Sequence, residues 1–134
     1  MKNIVSKIDG RLVCALVDYK EISTYRMDVS PEEEFIQVGA RKLAKGIHVQ
    51  KHKHKRLERI TTNTQEAWVV IEGEIKAEVF DLDNHFLEEI VITKGGCAVF
   101  YRGGHSLTCL QDNTIFYEIK NGPYYGYDID KEEI

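Results

Sequence analysis

Nine short runs of strand-forming residues follow one another along the chain, and this succession limits the available folds more than any other feature. "RLVCALVDY", "EFIQVGARKL", "GIHVQKHKH", "EAWVVIEG", "EIKAEVFDLD", "EEIVITKG", "CAVFYR", "LTCL" and "TIFYEIK" carry Val, Ile, Tyr, Phe or Thr at strand spacing. Turn-formers separate many of them: "EGE", "DLDN", "KGG", "RGGH" and "QDN". Strand starts roughly 8–12 residues apart belong to a sandwich or barrel. The predicted fold class is therefore all-β. Only "SPEEEF" suggests a helical turn, with Ser30 as N-cap and Pro31 opening it.

The 134 residues suit one domain with one core. Residues 1–34 supply N-terminal strands, about 35–120 the barrel, and 121–134 an acidic tail packed on it. Apolar residues make up 43% and charged residues 30%, too rich in core formers for disorder. A net charge of −4 argues against nucleic acid as a general partner. No run of about 18 apolar residues exists, so no membrane span is expected. The first residues lack an apolar signal-peptide core, which points to the cytoplasm. Cys14, Cys97 and Cys109 form no C-x-x-C pair and read as reduced thiols.

The most unusual run is "GIHVQKHKHK", Gly46 to Lys55. Successive side chains of a strand point to opposite faces. His48, Gln50, His52 and His54 would then share one face, and Ile47, Val49, Lys51, Lys53 and Lys55 the other. In "EAWVVIEG", Glu66, Trp68 and Val70 share one face, and Ala67, Val69 and Ile71 the opposite one. Both faces of that strand are apolar, so each is expected to be covered, the outer one by another subunit or a terminal segment.

His-x-His on a strand sets two imidazoles about 6.5–7 Å apart on one face. Neutral imidazole is a common ligand for divalent transition metals. Glu66, opening a later strand, and His105, after a glycine turn, could complete the set. Such a set suits iron, manganese, nickel or zinc without choosing among them.

These residues resemble the cupin superfamily. Its first motif is a Gly, five residues, His-x-His, a short gap, then Glu, six residues and Gly. Here five residues separate Gly46 from His52, and six separate Glu66 from Gly73. Eleven residues separate His54 from Glu66, a lengthened gap. Glu58 satisfies a short gap but not the spacing to a Gly, and is the fallback carboxylate. The second motif, Gly, five residues, Pro-x-Gly-x-x-His, is approximated by "GGCAVFYRGGH". It runs from Gly95, with Tyr101 in the Pro position, Gly103 matched and His105 one residue early. The resemblance implies a single-domain cupin, a jelly-roll barrel holding one divalent transition metal through His52, His54, Glu66 and His105. It implies a homodimer as well. "TQEAWVVIEGEI" with the terminal "EIKNGPYYGYDIDKEEI" looks like small cupins of sugar-nucleotide and surface-polysaccharide pathways.

Other residues carry competing readings. His48 is a buried hydrogen-bonded His or a catalytic candidate beside Glu66 and Tyr101. His85 lies in a turn and reads as solvated. The lysines opposite the imidazoles read as solvated. Arg41 and Arg102 could fork onto an anionic substrate group or form structural ion pairs. Trp68 and Tyr117 are substrate-binding candidates, although core packing suits Trp68 better. On the last strand Ile115, Tyr117 and Ile119 form one face, Phe116 and Glu118 the other, and pattern does not say which is inward. The expected activity is metal-assisted isomerisation or epimerisation of a sugar or keto-sugar, a small polar and anionic molecule. The alternatives are an iron-dependent dioxygenase, a non-catalytic metal- or ligand-binding barrel, and a metal-free cupin with His as base and Tyr as acid.

Overall fold

Strands account for 37% of the residues and helix for 5%, and every strand pairing is antiparallel. A computed structural model describes all 134 residues. In chain order the strands are β1 (Lys2–Val5), β2 (Leu12–Val17), β3 (Met27–Asp28), β4 (Gly39–Ala40), β5 (Glu66–Glu72) and β6 (Glu74–Phe80). They continue with β7 (Phe86–Thr93), β8 (Cys97–Phe100), β9 (Gly104–His105), β10 (Thr108–Cys109) and β11 (Ile115–Lys120). Helix is confined to one 3-10 turn at Tyr19–Glu21 and one short α-helix, α1 (Tyr127–Asp130).

The larger sheet has the order β1-β2-β8-β5-β11. The smaller has β10-β6-β7, with β9 also on β6. Their inner faces meet in a core of Ile4, Cys14, Trp68, Val70, Ile75, Ala77, Val79, Ile90, Ile92, Ala98 and Phe100, among others. Along β6 the alternation is clean: Ile75, Ala77 and Val79 are buried between half-exposed neighbours. That is the pattern of a sheet with one face in the core.

A second apolar layer covers part of the outer face of the larger sheet. Val29, with Met27, Ile36, Val38 and Ala40, packs on Ala15, Val17, Ala67, Val99 and Tyr101. The expected outer cover of β5 is thus a segment of this chain, over its first half only. Farther along, Val69 is half-buried and Ile71 exposed.

Two local expectations are corrected. "SPEEEF" makes a turn, closed by the Glu34 amide donating to the Pro31 carbonyl (3.1 Å), and not a helix. The Ser30 hydroxyl does not cap it. It accepts from the Val38 amide (2.9 Å) and from Tyr101 (3.0 Å). "GIHVQKHKHK" is not a strand. No residue from 41 to 65 is in a strand, and every residue from Arg41 to Thr64 is exposed. Alternation specifies a strand only where one face is buried. Here no neighbouring edge covers either face, and the cations Lys51, Lys53, Lys55, Arg56 and Arg59 keep the stretch hydrated. "EFIQVGARKL" likewise yields only the two residues of β4, and "LTCL" only those of β10.

No helix is long and apolar enough to cross a membrane. The cysteines are free: Cys14 is buried, Cys97 half-buried and Cys109 exposed. Burial pushes the Cys14 thiol up to about 12 and the Cys97 thiol up to about 11, so both stay protonated and inert.

Candidate functional site

Between the sheets lies a cavity of about 560 Å³. Its lining includes Glu66 and Trp68 from β5, Phe100 from β8, His105 from β9, Leu107, Glu118 from β11, and part of the C-terminal segment. Glu66 opens β5 on its inner face, so period-2 alternation aims it and Trp68 the same way. The Trp68 indole N–H donates to the Glu66 carboxylate. His105 is positioned by the tight turn before it. Gly103 has φ of +71°, and a side chain there would run into the Phe80 carbonyl. The imidazole stacks on Phe100 (ring centroids 4.3 Å apart, 25°) and meets Trp68 edge-on at 5.1 Å.

Glu66 Oε1 and His105 Nε2 are 3.9 Å apart. That is too long for a hydrogen bond. Two donors on one ion, each at about 2.0–2.2 Å, span a comparable gap. Burial raises the Glu66 carboxyl above the usual carboxylate range; the Trp68 indole opposes the rise and the Glu118 charge adds to it. Burial also pushes His105 down to about 4, helped by the Lys131 ammonium and opposed by Glu118. At neutral pH the imidazole is therefore uncharged, with a lone pair free to take a proton or an ion.

Of the expected ligands, the fold brings Glu66 and His105 together. His52 and His54 lie outside the cavity on the exposed 41–64 segment. Their rings are 5.5 Å apart, and the His52 Nδ1–H donates to the Gln50 carbonyl (2.9 Å). No three His, Cys, Asp or Glu side chains converge on one point. Glu58 is exposed on the same segment.

Several other expectations are revised. His48 is exposed on that segment, not buried, and does not line the cavity. Arg41 also starts the segment, with its guanidinium 5.8 Å from the Tyr25 ring centroid, outside the cavity. Tyr101 is fully buried under the outer layer, its hydroxyl donating to Ser30, and it does not line this cavity. The face of β11 is settled by Phe116, whose ring lies 6.0 Å from Trp68. Glu118 therefore faces inward, and Tyr117 outward, 65% exposed. Arg102 lines the cavity, yet its guanidinium is held by the Leu12 carbonyl and by Glu34 (2.6 Å), both partners of the ion pair being buried. It reads as the structural ion pair. Trp68 is buried and lines the cavity, so it is both core and wall. His85 is a solvated turn residue paired with Asp83 (2.9 Å).

Sequence reading leaves Glu118 undecided against Tyr117, and misses Phe100 and Lys131. Phe116 was the signal for Glu118: on an alternating strand the aromatic without a polar tip marks the inner face. Nothing in the alternation of "DIDKEEI" marks Lys131. No family model, no curated protein and no solved structure matches the chain.

Proposed function

We propose that the protein is a small cupin-like jelly-roll barrel that binds one divalent transition metal and acts on a small polar molecule. The chemistry proposed is isomerisation or epimerisation of a sugar or keto-sugar. The observation that carries it is the convergence of Glu66 and a neutral His105 in a cavity large enough for such a molecule. A metal there would polarise a substrate oxygen and acidify a neighbouring C–H. Glu66, His105, His52 and His54 would hold it, and Glu118 is the inward carboxylate placed to move a proton.

Glu66 and His105 face each other across 3.9 Å, and on this reading His52 and His54 come in with their segment. Open edges beside the cavity support that movement. On the larger sheet β11 pairs only with β5, and on the smaller one β10 pairs only with β6. Segment 41–64, tethered between Ala40 and Gln65, has length for an out-and-back excursion of about 40 Å. Its alternation matches an edge with a polar inner face and an apolar outer one: imidazoles inward, Ile47 and Val49 outward. Homodimerisation and a cytoplasmic setting belong to the same reading.

Metal content of protein purified without tag or chelator tests it, the wild type beside His52→Ala/His54→Ala. One equivalent in the wild type, lost in the variant, is the expected result. No metal, before or after reconstitution, overturns it. The separation of His52 and His54 from the cavity favours one second reading, acid–base catalysis by Glu66 and His105 without metal. Turnover of a sugar substrate surviving chelation would select that reading. Metal bound without turnover of any substrate would select a binding barrel, and oxygen uptake a dioxygenase.

A further inference from the structure

The C-terminal segment supplies four residues to the cavity wall: Asp130, Lys131, Glu132 and Ile134. It is fastened at two points. Asp130 lies 3.6 Å from the Lys120 ammonium and 3.3 Å from the Thr64 hydroxyl. Ile134 packs so closely on Gly104 that a side chain at that position would have no room.

The cations at the cavity differ in one respect. Arg102 is committed to Glu34. Lys120, behind Glu118 and Asp130, pairs with both, at 3.4 and 3.6 Å. Lys131 pairs with no carboxylate; its ammonium only approaches the Tyr127 ring, 5.8 Å from the centroid. The cavity wall thus carries one ammonium with no carboxylate partner, in the same lining as Glu66 and His105.

We infer that Lys131 anchors an anionic group, a carboxylate or a phosphate, on the small molecule this cavity takes. The inference rests on the cavity being a ligand site and not on its holding a metal. A charge-assisted bond to Lys131 would fix one end of the ligand and leave the other at Glu66 and His105. Glu132 lines the same cavity without a basic partner. The attraction is therefore local to Lys131 and should be lost with that one charge.

Trp68 is the single tryptophan and lines the cavity, so its fluorescence reports occupancy. Wild type, Lys131→Met and Lys131→Arg are titrated with inorganic phosphate, acetate and uncharged glucose at constant ionic strength. Far-UV dichroism confirms that each variant is folded. The expected result is saturable binding of phosphate or acetate to the wild type, weakened about tenfold in Lys131→Met and largely kept in Lys131→Arg. A response to phosphate alone assigns a phosphate, and one to acetate alone a carboxylate. No saturable response to either anion, or Lys131→Met titrating like the wild type, overturns the inference. Metal content is measured separately, so the metal reading and this one fail independently.

Discussion

At the scale of single residues the site is a pair of groups whose titrations oppose each other. His105 is pushed down to about 4, so between pH 6.5 and 4 the unfolded chain binds the extra proton. Its contribution is fully present above pH 6.5 and is lost as pH falls toward 4. One quarter of the side chain remains exposed, which trims the effect to on the order of 2 kcal/mol. Glu66 is shifted up, so its protonation in the folded state offsets part of that loss in acid. Guanidinium midpoints measured from pH 7 to pH 4 therefore fall for the wild type. They should fall more steeply for Glu66→Gln, which removes the compensating group, and less for His105→Gln. A His105→Gln profile that parallels the wild type would mean that the imidazole is not buried as described.

At the scale of elements the central strands were legible and the connections between them were not. β5, β6, β7 and β8 were readable because both sequence period and flanking turns agreed, and each buries at least one face; β11 shows the same period, but only Phe116 and Lys120 on it are half-buried. Pattern failed at 46–55 for an opposite reason: alternation records which side chains could share a face, not whether an edge is there to receive them. Glu66, Trp68 and His105 were found because a strand face and a glycine turn fix their direction. Arg102 has two readings in the sequence, since a guanidinium reads the same whether its carboxylate is substrate or Glu34. The fold decides it by folding the turn after Pro31 over the end of β8. Arg102→Met leaves the Glu34 carboxylate buried and unpaired, and should cost about 3–5 kcal/mol. The double variant Arg102→Met/Glu34→Leu should recover much of that loss in urea unfolding. Equal midpoints for Arg102→Met and wild type would remove the pair from any structural role.

At the scale of the molecule the two sheets share one core, and the larger sheet is covered outside over only part of its width. The uncovered part lies on β5 and β11. Ile71, Ile115, Tyr117 and Ile119 are 43%, 57%, 65% and 51% exposed, and Tyr117 and Ile119 stand directly across from Val69 and Ala67. Isolated exposed apolar residues need no explanation, but a contiguous group on a regular sheet face marks a contact surface. The same strand has a free edge, so a second copy could use the face, the edge or both. Sedimentation of the wild type at tens of micromolar should give a dimer. Tyr117→Asp and Ile119→Asp place charge at the centre of the stripe without entering the core, and each should weaken the dimer at least tenfold, on the order of 1.4 kcal/mol or more. Leu57→Asp on the 41–64 segment separates the two ways of associating. Dimerisation through the sheet face alone leaves that variant dimeric, whereas exchange of the segment between copies makes it dissociate with the others. A wild type that sediments as a monomer at every concentration would remove the homodimer from the proposed function and leave this face as plain surface.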